Sequence, residues 1–227
     1  MTQSILIVGA SRGLGLGLVA EHLKRGFEVI ATVRKAEDEP DLKGLSGAER
    51  LTIHRADVTS DADIGRLATE LKGPLDIVLI NAGISGPRSV ANADPAELDH
   101  AMRTNVFGPV RLAHALVGHV REQNGVLAFM SSAMGSIAEN ASGAMAVYRA
   151  TKTAQNGFAR SLWLTDAKDR GVTVLSVHPG WVKTDMGGAG ADIDVETSVT
   201  GMADQLKAHA GAHVHKFVDY SGREIAW

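Results

Sequence analysis

Two residues that could do proton-transfer chemistry, Tyr148 and Lys152, stand four apart in the segment AVYRATKTAQNGF. Residues at this spacing on an α-helix lie on one face, about one turn apart. An isolated tyrosine is a poor acid or base at neutral pH because its pKa is about 10, and a nearby cation favours the phenolate and lowers that value. The alternative is two polar residues on the exposed side of an ordinary helix. Spacing alone does not decide between these readings.

A glycine-rich stretch, GASRGLGLG from Gly9 to Gly17, follows the apolar run SILIV. Where a strand enters such a turn and then a helix, the backbone can approach a pyrophosphate, whose charge meets free N–H groups and the positive end of the helix dipole. The spacing of Gly9, Gly13 and Gly15 differs from the commoner G-x-G-x-x-G pattern. A tight turn with close helix packing is the plainer explanation, but the position after a first strand favours a dinucleotide.

The elements that must hold this loop and this pair together are visible as short apolar runs. Seven β-rich runs lie at 4–8, 27–33, 50–56, 75–80, 125–131, 172–177 and 213–218. Most are continuous rather than alternating, as expected for strands that are covered on both faces. Because helix-length segments lie between them, the sequence predicts an α/β fold: a doubly wound, parallel sheet of about seven strands with helices on both faces.

The segments between the runs predict helices at 13–25, 61–72, 94–121, 144–169 and 196–209. Ser60 or Asp61 is a suitable cap for the second of these helices. Asp94 followed by Pro95 is typical of a helix start and opens the third. The segment 35–49 is too polar and too broken for a full-length helix, so the second crossover is predicted to be short.

Composition narrows the class of protein. The chain has 227 residues, of which 44% are apolar, and this suits a single domain over residues 1–227. A net charge of -3 with scattered Lys and Arg gives no basic patch for nucleic acid. The absence of cysteine removes disulfides, thiol nucleophiles and thiolate metal sites. Neither a signal peptide nor a membrane-spanning apolar stretch is found, so we expect a soluble, cytoplasmic protein.

Further motifs accompany the glycine loop and the Tyr–Lys pair in a definite order. They are GASRGLG at 9–15, NAG at 81–83, SSAMG at 131–135, YRATK at 148–152 and HPGWVKTDM at 178–186. In this combination the chain resembles the short-chain dehydrogenase/reductase family, and in its start and its GWVKTDMGG segment it looks most like the C-factor and sniffer-type carbonyl reductase branch. The resemblance covers most of the chain and implies a Rossmann-type, dinucleotide-binding domain.

The resemblance assigns four catalytic residues. Tyr148 is implied to be the proton donor, and Lys152 is implied to lower the pKa of Tyr148 and to hold the ribose of the cofactor. Ser132 is implied to stabilise the substrate oxygen, although the longer loop before Tyr148 leaves Ser131 as an alternative. Asn105 is implied to hold a water that links Lys152 to solvent; a helix-interior Asn with local hydrogen bonds is the plainer reading.

The resemblance also assigns a cofactor site. Its residues would be Gly9, Ser11, Arg12, Gly13, Leu14, Gly15, Arg34, Asp57, Val58, Asn81, Ala82, Gly83, Tyr148, Lys152, Pro179, Gly180, Val182 and Thr184. The position that selects NAD through a carboxylate falls at Val33, and Arg12 and Arg34 could together bind a 2′-phosphate. NADPH (NADP) is therefore the predicted cofactor, with NADH left open. Asp57 could equally be a turn or cap residue.

The predicted function is NADPH-dependent reduction of a small aldehyde or ketone by an oxidoreductase. One wall of the substrate site would be formed by Ala133, Met134 and Ile137. The other wall would be a small lid at about 181–212, which contains Trp181 and Met186. The alternative is an NADP-binding signalling or regulatory protein of C-factor type, with incidental catalysis.

Metal and macromolecular partners are the remaining predictions. His209, His213 and His215 lack a carboxylate at a suitable spacing, so no metal site is predicted. Partners are expected to be a small carbonyl or alcohol substrate, with no nucleic acid and no membrane. Members of the family commonly pair through helices that correspond to 94–121 and 144–169, which implies a homodimer or homotetramer.

Overall fold

The computed structural model describes residues 2–227, which form one seven-stranded sheet with the order β3-β2-β1-β4-β5-β6-β7. Every neighbouring pair of strands is parallel. The strands are β1 Ser4–Val8, β2 Glu28–Val33, β3 Leu51–Arg55, β4 Ile77–Ile80, β5 Val126–Met130, β6 Thr173–His178 and β7 His215–Asp219. The predicted doubly wound fold is confirmed, with strand ends shifted by one or two residues.

Helices cover both faces of the sheet. They are α1 Gly13–Lys24, α2 Glu39–Lys43, α3 Asp61–Glu70, α4 Pro95–Met102, α5 Gly108–Leu116, α6 Ala146–Leu162 and α7 Val195–Ala208. Ser60 caps α3 by accepting from the Asp63 amide, and Asp94 caps α4 in a capping box with Glu97. The crossover at 35–49 holds only α2 and two short 3-10 turns, as predicted.

The predicted helix at 94–121 is not regular along its length. A π-helical turn, Arg103–Phe107, separates α4 from α5, and Pro109 lies in the first turn of α5. Proline has no amide N–H and cannot donate to the carbonyl four residues before it, which is that of Asn105. The predicted helix at 94–121 therefore corresponds to two α-helices, joined by the π-helical turn that contains Asn105. A second π-helical turn, Trp163–Ala167, follows α6.

Two apolar cores flank the sheet. In β1, Ile5 and Ile7 pack on the side of α1 and α7, whereas Leu6 and Val8 pack on the side of α3, α5 and α6. This two-sided burial explains why the strands read as continuous apolar runs. Because the strands are parallel, the loops after β1, β2, β3, β4, β5 and β6 all leave the same edge of the sheet. The predicted functional residues lie in these loops or in the helices that follow.

Within residues 2–227, we find no helix that combines the length and the apolar character needed to cross a membrane.

Candidate active site

A cleft runs along the carboxyl edge of the sheet and brings most of the predicted site together. The predicted residues that line it are Gly9, Ser11, Arg12, Gly13, Leu14, Gly15, Arg34, Asp57, Val58, Asn81, Ala82, Gly83, Tyr148, Lys152, Pro179 and Thr184. Asn105, Ser132, Gly180 and Val182 do not line it. The cleft therefore joins the glycine loop to the Tyr–Lys pair, which lie far apart in the sequence.

The glycine loop is held against the end of β4. A Cβ added to Gly15 would lie 2.1 Å from the carbonyl oxygen of Gly9, and one added to Gly9 would lie 2.9 Å from the Cα of Ala82. Gly9 also has a positive φ of 84°. Asn81 donates from Nδ2 to the same Gly9 carbonyl at 2.6 Å. Larger side chains do not fit these positions, so the backbone here is packed tightly between β1 and β4.

The first turn of α1 is suited to an anion. Arg12, the residue before the helix, makes no side-chain capping hydrogen bond, and no acidic residue lies in the first turn. The first N–H groups of a helix have no partner within the helix, and the helix dipole makes this end positive. Open N–H groups beside a loop that only glycine can form fit the pyrophosphate of a dinucleotide.

Arg34 and Asp57 lie at the other end of the cleft, beyond β2 and β3. Val33 ends β2, so the carboxylate that would select NAD is replaced by an apolar side chain. Asp57 accepts from the Thr59 amide and hydroxyl, which makes it a turn residue as well as a lining residue. Burial raises the pKa of Asp57, but the Thr59 hydrogen bonds and the charge of Arg34 lower it more.

Arg12 has a partner that the sequence did not indicate. Its guanidinium donates to the carboxylate of Asp185 at 3.0 Å, and both side chains are largely exposed. Arg12 and Arg34 both line the cleft as predicted, but Arg12 is shared between the glycine loop and the segment after β6.

Lys152 is buried with its ammonium beside the end of β5. The residue is 2% exposed, and Nζ donates to the Met130 carbonyl at 2.6 Å and to Gln155 Oε1 at 3.4 Å. Nζ lies 5.8 Å from the centre of the Tyr148 ring, which confirms that the two residues share a face of α6. Burial lowers the pKa of Lys152 to about 8.

Tyr148 has a higher pKa than the sequence led us to expect. Burial raises its pKa to about 12, and a hydrogen bond with Ser132 opposes that shift. Desolvation of the phenolate dominates this pKa, and the expected lowering of the Tyr148 pKa by Lys152 stays a prediction. Tyr148 is thus a phenol, and not a phenolate, at neutral pH.

The structure separates the roles of the two serines after β5. Ser131 is buried and its hydroxyl donates to Asn156 Oδ1 at 2.8 Å. The Ser132 hydroxyl accepts from the Met134 amide at 3.1 Å and also interacts with Tyr148. Ser132 is therefore the serine that interacts with the phenol, whereas Ser131 is the one that lines the cleft, and the catalytic role of Ser132 stays a prediction.

Asn105 is completely buried in the π-helical turn and fixes the loop after β4. Its Oδ1 accepts from the Ile84 amide at 2.8 Å, and its Nδ2 donates to the Ile84 carbonyl at 2.8 Å and to Thr151 Oγ1 at 3.1 Å. Its main-chain carbonyl accepts from Gln155 Nε2 at 3.0 Å. The side chain thus joins the NAG loop to α6, and its predicted role in holding water stays a prediction.

The segment after β6 borders the cleft only in part. Pro179 and Thr184 line it, whereas Val182 is buried and bridges to Ile193 as a short parallel pair. Gly180 has a positive φ of 86° and turns the chain away from β6. The predicted contacts of Gly180 and Val182 with a cofactor thus have no support from the cleft lining.

Several lining residues were not predicted, although most adjoin a predicted motif. They are Val8, Thr32, Ala56, Thr59, Ile84, His100, Thr104, Met130 and Asp185. His100 and Thr104 come from α4 and the π-helical turn, where no motif marks them. Helical periodicity could have placed them on one face, but not over the cleft.

Comparisons with known proteins establish the family. The model of the short chain dehydrogenase family matches residues 3–192, and the chain belongs to this family. A carbonyl reductase from Pseudomonas aeruginosa PAO1, solved in complex with NADP, is 38% identical with a TM-score of 0.91, and 100% of each chain is covered.

Two further relatives confirm the predicted branch. The carbonyl reductase Sniffer of D. melanogaster is 30% identical with a TM-score of 0.89, again with 100% of each chain covered. The C-signal protein of Myxococcus xanthus is 36% identical over 159 residues, which cover 68% of this chain and 94% of that protein. The likeness therefore extends beyond the motifs, to the whole fold for Sniffer and to 68% of the chain for the C-signal protein.

Proposed function

We propose that this short-chain dehydrogenase uses NADPH to reduce a small aldehyde or ketone, with Tyr148 as the proton donor. The observation that carries the proposal is the single cleft that holds both the glycine loop and the Tyr148–Lys152 pair. Similar proteins support it, since the Pseudomonas aeruginosa carbonyl reductase was solved with NADP.

The cofactor supplies a hydride when it is bound, and the chain supplies the means to hold it. The open N–H groups at the start of α1 would receive the pyrophosphate. Arg34 would bind the 2′-phosphate, since it lies beside the cleft and makes no ion pair within residues 2–227. Lys152 would contact the ribose.

Proton transfer falls to Tyr148 because it keeps its proton at neutral pH. Its pKa of about 12 leaves the phenol able to donate to a developing alkoxide. The Lys152 ammonium, 5.8 Å from the ring centre, would stabilise the phenolate that remains. Ser132 would provide a second hydrogen bond to the substrate oxygen.

Apolar side chains outside the core support an uncharged substrate. Ile137, Trp181 and Met186 are exposed by 72%, 53% and 56%. The Trp181 indole donates to the Gly187 carbonyl at 2.8 Å, so its ring is held in place. The charged residues in this region, Arg12 and Asp185, form a salt bridge with each other. Small and largely neutral carbonyl compounds suit these surroundings.

The experiment is a panel of small aldehydes and ketones, mixed with the protein and NADPH, with NADPH absorbance followed over time. We expect turnover of at least one uncharged carbonyl compound. Tyr148→Phe should slow turnover by about a thousandfold while NADPH affinity is kept, which separates proton transfer from binding.

The likeness to the C-signal protein of Myxococcus xanthus favours one second candidate, a signalling or regulatory protein that binds NADP. NADPH binding without turnover of any compound in the panel would support this candidate. Tyr148 and Lys152 line one cleft with the glycine loop, and Ser132 is hydrogen-bonded to Tyr148; this is the reason to prefer an enzyme.

We also propose that two copies pair through α5 and α6. Three large apolar side chains are exposed on or next to these helices: Phe107 before α5, Phe158 on α6 and Leu164 after it. Isolated exposed apolar residues are ordinary, but three around one helix pair favour an interface.

A further inference from the structure

Gln155 is part of the site although no sequence motif marks it. It follows Lys152 by three residues on α6 and is completely buried. Its Oε1 accepts from Lys152 Nζ at 3.4 Å, and its Nε2 donates to the main-chain carbonyl of Asn105 at 3.0 Å. One buried amide thus connects the ammonium on α6 to the π-helical turn before α5.

The irregular helix explains why the Asn105 carbonyl is suited to this bond. In a regular α-helix it would accept from residue 109, but Pro109 has no N–H. Gln155 supplies a donor from the neighbouring helix. The bond also fixes the orientation of the amide: because the NH₂ end meets a carbonyl, the oxygen end must face Lys152.

The remaining contacts of Lys152 leave one N–H for the cleft. An ammonium has three donors. One is used by the Met130 carbonyl and a second by Gln155. Gly83 lies close on another side, since a Cβ added there would be 3.6 Å from Nζ. Lys152 lines the cleft, so its third donor is available there.

We propose that Gln155 is a positioning residue that holds the Lys152 ammonium with its third N–H directed to the cleft. Gln155 acts through Lys152 and does not line the cleft itself. The inference rests on the proposed function, because the orientation of Lys152 matters to the reaction only if Lys152 serves cofactor binding and proton transfer at Tyr148.

Few other groups stabilise the charge on Lys152. Burial is the cause that lowers its pKa to about 8, and no charged side chain within residues 2–227 contributes to the shift. The titratable group that faces it is Tyr148, on the same helix. β5 offers Lys152 the neutral Met130 carbonyl, and the π-helical turn is connected to Lys152 through Gln155, which donates to the neutral Asn105 carbonyl. A hydrogen bond to a charged group favours the charged form, so loss of Gln155 should lower the Lys152 pKa further.

The test is the pH titration of Lys152 itself, followed by NMR in protein that carries carbon-13-labelled lysine. Lys152→Met assigns the resonance. Gln155→Met keeps the length of the side chain but loses both hydrogen bonds, and it should lower the midpoint by about one pH unit. Gln155→Glu places a carboxylate beside the ammonium and should raise the midpoint.

Thr173→Val is the matched control. Thr173 is completely buried on β6, and its hydroxyl donates to the His209 carbonyl and accepts from the His213 amide, both at 3.0 Å. The variant loses two buried hydrogen bonds away from the cleft, and it should leave the Lys152 midpoint unchanged. If the loss of buried hydrogen bonds anywhere in the fold were enough to change the titration, the Lys152 midpoint would shift in Thr173→Val as well as in Gln155→Met.

Turnover gives a second readout. In Gln155→Met the alkaline limb of the kcat profile should move down by the same pH unit, with a smaller change in KM. An unmoved Lys152 midpoint in Gln155→Met overturns the proposal, as does an equal shift in Thr173→Val. If Gln155→Met does not fold, a Gln155→Glu midpoint at or below that of the unmodified protein overturns it.

The two proposals can fail separately. The titration needs no substrate, so the absence of turnover in the unmodified protein counts against the proposed function alone. An unmoved midpoint in a protein that reduces carbonyl compounds counts against the role of Gln155 alone.

Discussion

The ammonium nitrogen of Lys152 lies 5.8 Å from the centre of the Tyr148 ring, on the same face of α6. Burial shifts their two pKa values in opposite directions, raising that of Tyr148 to about 12 and lowering that of Lys152 to about 8. At neutral pH the phenol therefore keeps its proton and the amine keeps its charge. This is the protonation state in which Tyr148 can donate and Lys152 can stabilise the resulting phenolate.

The first prediction concerns pH. Lys152 is charged below its pKa of about 8, so carbonyl reduction should be constant at neutral pH and decrease as pH rises through that value. Tyr148, with a pKa of about 12, should not limit the rate in this range. The measurement is kcat at saturating NADPH across neutral and alkaline pH. The kcat profile of Lys152→Met should not show the decrease near pH 8. A kcat of the unmodified protein that increases through this pH would contradict the role of charged Lys152.

Cofactor choice depends on Arg34 in our account. Arg34→Ala should weaken NADPH binding by about tenfold or more, because a charge-assisted hydrogen bond to the 2′-phosphate is lost. NADH binding should change little, since NADH has no 2′-phosphate. Binding titrations of both cofactors to both proteins provide the check. Equal affinity of the unmodified protein for NADPH and NADH would contradict the proposal that Arg34 binds the 2′-phosphate.

The glycine loop makes a prediction about stability and binding together. In Gly15→Ala the new Cβ would meet the Gly9 carbonyl at 2.1 Å, so the backbone must shift. We expect unfolding free energy to decrease by about 1–3 kcal/mol and NADPH binding to be lost. Urea unfolding and cofactor titration measure the two effects.

Gly65→Ala is the control for that experiment. Gly65 lies within α3, where an added Cβ meets nothing within 4 Å. This variant should bind NADPH as the unmodified protein does. Its free energy of unfolding should increase by about 0.5–1 kcal/mol, because alanine is more favourable than glycine in a helix interior. Unimpaired NADPH binding by Gly15→Ala would show that the loop is not the pyrophosphate site.

Pairing of two copies is tested by a charge on α6. Phe158 is 42% exposed, and Phe158→Glu should convert a dimer or tetramer to a smaller species in light scattering. Val90, which is 60% exposed but lies outside α5 and α6, provides the control Val90→Glu. A monomeric unmodified protein, or equal dissociation in both variants, would contradict pairing through α5 and α6.

Much of the fold could be predicted from the sequence because its signals are local. Continuous apolar runs such as Ile77–Ile80 indicate strands buried on both faces, and Asp94 before Pro95 marks a helix start. The glycine loop and the Tyr148–Lys152 pair were recognisable by their spacing together with the order of the motifs that accompany them. A cytoplasmic location and the individual catalytic roles stay predictions.

What the sequence could not provide depends on tertiary packing. The high pKa of Tyr148 follows from desolvation in the folded chain, which no sequence motif reveals. Gln155 meets the Asn105 carbonyl only because α6 packs beside the π-helical turn. Arg12 and Asp185 are 173 residues apart in sequence, and no motif links them.

The most direct test of the central claim compares NADPH consumption by the unmodified protein and by Tyr148→Phe across the carbonyl panel. We predict that the unmodified protein reduces at least one small uncharged aldehyde or ketone. We predict that Tyr148→Phe binds NADPH with nearly unchanged affinity and is slower by about a thousandfold. An unmodified protein that binds NADPH but reduces nothing, or a Tyr148→Phe variant of undiminished rate, would contradict the account.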